Sequence, residues 1–268
     1  EMILNWMRYW KFTTSSILQF QLVDGQLRSK DAFDQGLKRL KKTGSFWSVR
    51  VGAEAYYFHD AYKKHYENLS EMDPTLRSAY LETNGIAHHI DVQNVFIWLK
   101  MMSTKTKGKV FPVAPHGLQN QFRSGLDVQE DLGLVGAIGH IPIEVERNQK
   151  SQRRWQEKWL EYECKNWIPG CIYFVSDPSV AGSLTRNILE FIQEAAKRGS
   201  KFWIGMNVNL SDRILLFSPE TTGDVHVLEF FKRISFPEAW SDELKAVPVA
   251  EQLEYLYKKA DQEISKQN

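Results

Sequence analysis

The stretch Asp131-Leu132-Gly133-Leu134-Val135-Gly136-Ala137-Ile138-Gly139-His140-Ile141-Pro142-Ile143-Glu144-Val145-Glu146 contains two apolar runs separated by a few small residues. It reads as a pair of strands, with Ala137-Ile138-Gly139 short enough to turn the chain as a hairpin. A turn centred near residues 137–138 sets Asp131 opposite Glu144. Opposed residues share a face, with Cβ atoms about 4.5–5.5 Å apart. Glu146, two residues beyond Glu144, points to that same face. A slip of one residue would move Asp131 to the other side. Three carboxylates on one face of an apolar hairpin repel one another and are costly to desolvate. A divalent cation resolves both problems, since Mg²⁺ takes oxygen ligands from one or two carboxylates plus waters and phosphate oxygens. The same alternation also describes a half-buried strand whose Ile141, Ile143 and Val145 face a core while Glu144 and Glu146 face solvent.

Downstream, Arg147-Asn148-Gln149-Lys150-Ser151-Gln152-Arg153-Arg154 is a basic stretch leading into a Trp-rich helix over 150–166. Trp155, Trp159 and Tyr162 fall at helical spacing and read as core; with Trp167 they are also candidates for stacking on single-stranded bases. Beyond lie a buried strand at 171–175, a helix at 184–198, a strand at 202–208, two less defined segments at 213–217 and 225–231, and a closing helix at 248–266. Upstream, 86–99 is an amphipathic helix and 110–113 a short strand. The order helix, three strands, helix, strand, helix, strand describes an α/β core in which antiparallel strands lead into crossover units.

Residues 1–66 hold eleven Lys/Arg and six Asp/Glu. Their pattern predicts three short helices and a two-stranded ribbon. The first helix carries Ile3, Leu4, Met7 and Trp10; the second starts at Phe12-Thr13-Thr14-Ser15-Ser16, where hydroxyls can cap free N–H groups. The third holds Ala32, Phe33, Leu37 and Leu40, and strands follow at 46–51 and 55–59. That order looks like a winged helix-turn-helix. The third helix would then enter the major groove of double-stranded DNA, with Lys30, Lys38, Arg39, Lys41 and Lys42 toward phosphates. A helical subdomain with a solvated basic face, or a protein-docking module, fits the same pattern. The module break falls between 66 and 85, giving domains 1–66 and 67–268.

An Asp followed by a hairpin-borne Glu-x-(Glu/Lys) and a helix resembles the site of PD-(D/E)XK nucleases, with Glu130-Asp131 in place of Pro-Asp and Glu146 in place of Lys. The fuller run Ile143-Glu144-Val145-Glu146-Arg147-Asn148-Gln149-Lys150-Ser151 is similar to the E-x-E-x-x-x-K-S segment of plasmid relaxases of the MOBC type. Related replication-relaxation proteins carry an N-terminal winged helix and then a helix similar to Ala87-His88-His89-Ile90-Asp91-Val92-Gln93-Asn94. The resemblance covers roughly residues 1–200. It implies a winged helix followed by a restriction-endonuclease-like mixed-sheet domain, in a cytoplasmic protein that binds an origin of transfer and nicks one strand with Mg²⁺ or Mn²⁺. A mobilisation accessory or coupling protein is a further implied partner. On this resemblance Asp131 and Glu144 hold the metal, and Glu146 is a third ligand or positions the attacking water. Lys150 stabilises charge on the phosphate, Arg147, Arg153 and Arg154 contact DNA, and His88 lines the site. Asp127 competes with Asp131 for the role of first acid. A non-catalytic DNA-binding protein with a degenerate nuclease fold, and a restriction-like enzyme cutting both strands as a dimer, are the alternatives.

Composition narrows the classes. With 268 residues and 43% hydrophobic content the chain can bury a real core, and its ordinary make-up argues against disorder or low complexity. Two cysteines, Cys164 and Cys171, are too few for a disulfide framework. No apolar run approaches the roughly 18 residues of a membrane span, and no secretory signal pattern opens the sequence. No phosphate-binding GxxxxGK[ST] occurs, and Gly133, Gly136 and Gly139 read as hairpin glycines, so no nucleotide cofactor is expected. His116 and His140 lack zinc-site context. A net charge of +1 averages over basic and acidic segments, and so does not exclude DNA.

Overall fold

The computed structural model describes residues 2–21, 30–83, 85–107, 110–114, 130–165 and 167–237, with positions 240, 243, 246–247, 251–252, 254–256, 258–259 and 262. Asp127 and His116 lie outside the described residues. The chain forms two compact units, Glu1–Ile97 and Trp98–Asn268. Both are mixed α and β.

The first unit runs α1 (Met2–Trp10), β1 (Phe12–Thr14), α2 (Ser15–Gln21), α3 (Lys30–Lys41), β2 (Phe46–Val51) and β3 (Glu54–His59). The strands form an antiparallel sheet in the order β1-β3-β2. Gly52, at φ +59°, supplies the left-handed backbone that the tight turn between β2 and β3 requires. Phe12–Thr14, expected to start a helix, is instead a strand: these aromatic and β-branched residues pair with Phe58, Tyr57 and Tyr56 of β3. The helix begins one residue later, where Glu54 accepts hydrogen bonds from the Ser15 and Ser16 hydroxyls and the Ser16 amide.

Three short helices follow, α4 (Lys63–Tyr66), α5 (Asn68–Glu71) and α6 (Arg77–Thr83), and then the long α7 (Ile86–Lys105). In the sequence, residues 67–85 look like a connection containing Asp73-Pro74 and Asn84-Gly85. The helices are there because Leu69, Leu81 and Ile86 complete the core formed by Phe12, Val49, Val51 and Phe58. The first unit therefore extends past residue 66 to Ile97. Gln93 fastens α7 to it, donating to the Phe12 carbonyl (2.9 Å) and accepting from the Trp6 indole (3.0 Å).

The second unit contains β4 (Phe111–Val113), β5 (Leu132–Gly136), β6 (Gly139–Glu146), α8 (Gln152–Glu163), β7 (Gly170–Val175), α9 (Pro178–Lys197), β8 (Trp203–Val208), β9 (Arg213–Phe217), β10 (Thr222–His226) and α10 (Val227–Ile234). One seven-stranded sheet has the order β10-β9-β8-β7-β6-β5-β4. β6, β7 and β8 are parallel, joined through α8 and α9; every other pairing is antiparallel. Ser151 caps α8, and Asp177 caps α9 with Pro178 in its first turn. Trp155, Trp159 and Tyr162 of α8 and Leu184, Ile188 and Phe191 of α9 bury one sheet face over Cys171, Tyr173, Ile204 and Met206. The fully buried aromatics of this cluster dominate its packing energy, at about 1.5–3 kcal/mol for a Phe-sized side chain. Among the described residues no helix is long and apolar enough to cross a membrane.

Candidate functional site

The β5–β6 hairpin has the register expected from the sequence, with Leu132 against Ile143, Val135 against His140 and a turn at 137–138. Asp131 lies one residue before β5 and straddles Glu144. Its amide donates to the Ile143 carbonyl (3.1 Å), and its Oδ2 accepts from the Val145 amide (2.8 Å). Glu144 and Glu146 are each only 2% exposed, so they do not form a solvated outer face. Glu144 sits beside Tyr173 in the parallel β6–β7 register and points under α8.

Two side chains from α8 reach Glu144. Lys158 Nζ is 2.6 Å from its Oε1, and the Tyr162 hydroxyl donates to the same oxygen. Burial pushes the Glu144 carboxyl up to about 7; Lys158 opposes that rise and the nearby charge of Asp131 adds to it. Burial, with Glu144 close by, also raises the Tyr162 phenol far above its ordinary value and keeps it a donor. The other face of this cluster is fixed by the Trp159 indole, which donates to the Tyr173 hydroxyl (2.9 Å). Glu146 pairs with Lys150, and Gln149 donates to Ser183 of α9 (2.9 Å).

The structure thus brings Asp131 and Glu144 together and turns Glu146 toward Lys150. Among the described residues no group of three or more His, Cys, Asp or Glu side chains is placed to hold a metal ion, so the expected three-carboxylate cluster is not assembled. The donor chemistry of Asp131 and Glu144 still suits Mg²⁺ or Mn²⁺: both are hard oxygen ligands, and the charge of Asp131 is felt at Glu144. Two carboxylates are an ordinary protein contribution to a Mg²⁺ site.

The other sequence candidates are spread more widely. Lys38, Arg39, Lys41 and Lys42 are exposed on α3 or just past its end. Lys30 opens α3, but its side chain is outside the description. Arg147 is half-buried; Arg153 and Arg154 are exposed, and Arg153 is held by Glu157 at 2.7 Å. His88 belongs to α7 in the first unit, its ring 6.1 Å from that of His89.

Four contributing residues, in three contacts, were missed in the sequence. Tyr162 reads as core and is buried, but its hydroxyl serves Glu144. Lys158 lies three residues after Trp155 and four before Tyr162, so a cation occupied the inward stripe of α8. That position signals a buried acid partner. Glu130 and His140 form the third contact: His140 Nε2 lies 2.7 and 2.9 Å from the two Glu130 oxygens, with both side chains 2% exposed. An acid ten residues before a histidine carries no recognisable pattern. No family model matches the chain, and no curated protein or solved structure matches it significantly.

Proposed function

We propose that the protein is a metal-dependent DNA endonuclease of relaxase type, nicking one strand of double-stranded DNA, with an origin of transfer as its target class. The observation that carries this reading is the buried Glu144 straddled by Asp131, on a hairpin that leads through α8 into a parallel strand. Helix α7, antiparallel β4, β5 and β6, helix α8 and parallel β7 follow the order read from the sequence, which suits the mixed-sheet domain that the PD-(D/E)XK resemblance implies. The first unit adds support: α1, β1, α2, α3 and the β2–β3 hairpin have the order of a winged helix, with exposed basic residues at the end of α3.

Asp131 and Glu144 would hold Mg²⁺ or Mn²⁺. Such an ion polarises a phosphoryl oxygen and lowers the pKa of a bound water. Lys158 and Tyr162 fix the Glu144 carboxylate, so that its orientation does not depend on the ligand. Lys150 places a cation beside Glu146, and Arg147, Arg153 and Arg154 offer charge to the DNA backbone.

The second reading, a DNA-binding protein with a catalytically inert nuclease fold, draws on the same contacts. Lys158 already neutralises Glu144 and Lys150 neutralises Glu146, which is how a buried acid survives without a metal. A supercoiled-plasmid assay with Mg²⁺ or Mn²⁺ separates the two. Open-circle product from the wild type that is lost in Glu144→Ala and Asp131→Ala supports the nickase. DNA binding without cleavage supports the inert protein, and linear product points to a double-strand cutter. Normal nicking by both variants removes the assigned site.

A further inference from the structure

Glu130 and His140 form a nearly dehydrated acid–imidazole pair on the sheet face that carries Glu144. Val135 opposes His140 and Gly133 opposes Pro142, so His140, Pro142 and Glu144 share a face with Gly133. Gly133 makes the pair possible. A Cβ there would lie 2.5 Å from His140 Cε1 and 3.0 Å from Glu130 Oε1. The imidazole therefore lies over bare backbone, and the Glu130 carboxylate reaches across to it. The His140 ring also packs against Trp167, centroids 5.6 Å apart, and its amide donates to the Trp167 carbonyl (3.2 Å).

As a source of stability such a pair is a poor device, because desolvating both partners offsets most of their attraction and an apolar pair fills the same space at less cost. What it does accomplish is positional. Glu130 immediately precedes Asp131 in the chain. Two side-chain contacts hold the chain where it enters β5: Glu130 on His140, and Asp131 Oδ2 on the Val145 amide. Releasing the first removes the contact made by the residue next to Asp131.

We propose that His140, acting through Glu130, is a positioning residue that keeps Asp131 beside Glu144. The proposal rests on the nuclease reading for its purpose, but the tether can be tested without metal or substrate. His140→Ala strands a buried carboxylate and can fail to fold, so the main test is the double variant Glu130→Leu/His140→Leu, which keeps the space filled with apolar groups. Amide hydrogen exchange in the metal-free protein reads the tether directly. In the double variant the Val145 amide should lose protection while Ile141 and Ile143 keep theirs. Titration calorimetry with Mn²⁺ should show affinity weakened by about 10–100-fold. Adding Asp131→Asn should abolish any further effect of the pair, since it acts only through Asp131. His140→Gln, which restores an N–H donor to Glu130, should recover most of the Val145 protection.

If a folded double variant matches wild type in both Val145 exchange and Mn²⁺ affinity, the tether is refuted and the nuclease reading is untouched. If wild-type protein neither binds Mn²⁺ nor nicks plasmid, the nuclease reading fails first and the positioning role falls with it.

Discussion

Lys158 shows how one side chain decides what a buried carboxylate can be. In Lys158→Met the stem still packs, but Glu144 loses its cation inside the sheet. Breaking a buried pair in this way costs about 3–5 kcal/mol. The pH dependence has a definite sign. With Lys158 present, burial already holds the Glu144 carboxyl up to about 7. Removing Lys158 raises it further, so the folded variant takes up a proton where the unfolded chain has none. The destabilisation should be greatest above pH 7 and shrink toward pH 5, where Glu144 is neutral in the variant. Urea unfolding of both proteins at pH 5 and pH 8 checks this; a pH-independent difference would show that charge is not the cause. Asp131 and Glu144 were legible in the sequence because a period-two strand and a short turn fix which residues meet. Lys158 and Tyr162 were not, because their helix arrives from beyond the hairpin and its orientation depends on packing over Tyr173.

At the scale of elements, the structure repeatedly uses one segment to finish the end of another. Glu54, at the start of β3, closes the first turn of α2 through Ser15 and Ser16. Partial burial tends to raise the Glu54 carboxyl, but the hydrogen bonds from Ser15 and Ser16 outweigh it and hold the carboxyl below its ordinary value. A depressed carboxyl contributes stability above its unfolded value that is lost as the pH falls through the folded one. Glu54→Gln should therefore destabilise the protein at pH 7 by about 1 kcal/mol, and the difference from wild type should narrow below pH 4.5. Denaturation followed by tryptophan fluorescence at pH 7 and pH 4 measures it. The β5–β6 turn is finished by α10 in the same manner. The Ala137 amide donates to the Ile234 carbonyl (2.8 Å), and a Cβ on Gly136 would lie 2.3 Å from that oxygen. Gly136→Ala should cost about 1–3 kcal/mol by overpacking. Gly182, inside α9 with open space around it, is the contrasting site, and Gly182→Ala should stabilise by about 0.4–1 kcal/mol. Thermal unfolding of the two variants should shift in opposite directions. Contacts of this kind explain where the sequence reading stopped. Helices and strands with strong periodicity were visible, but β1 was not, since three residues carry no period and Phe12–Thr14 become a strand only through the β3 edge.

For the whole molecule, the near balance of 34 basic and 33 acidic residues hides a segregation that the structure makes specific. Part of the acidic charge is consumed internally, as Glu144 and Glu146 are buried against Lys158 and Lys150. Part of the basic charge stays on the surface, with Lys38, Arg39, Lys41 and Lys42 exposed around the end of α3. Sequence counting could locate that surplus but could not say which cations were already paired. If α3 meets DNA phosphates, the log of the binding constant falls linearly with log salt, by about 0.9 for each phosphate neutralised. Replacing Lys38, Arg39, Lys41 and Lys42 by Ala in the full chain should make that slope shallower by about 0.9 for every one that touches the backbone. Arg153 is already engaged by Glu157, so Arg153→Ala should change the slope less than any one of the four. Fluorescence anisotropy with labelled duplex over a salt series reads both slopes. An unchanged slope in the quadruple variant would move the DNA-binding face away from α3. It would leave the nicking assay of Glu144→Ala and Asp131→Ala to stand or fall separately, because gripping phosphate and cutting it are assigned to different residues.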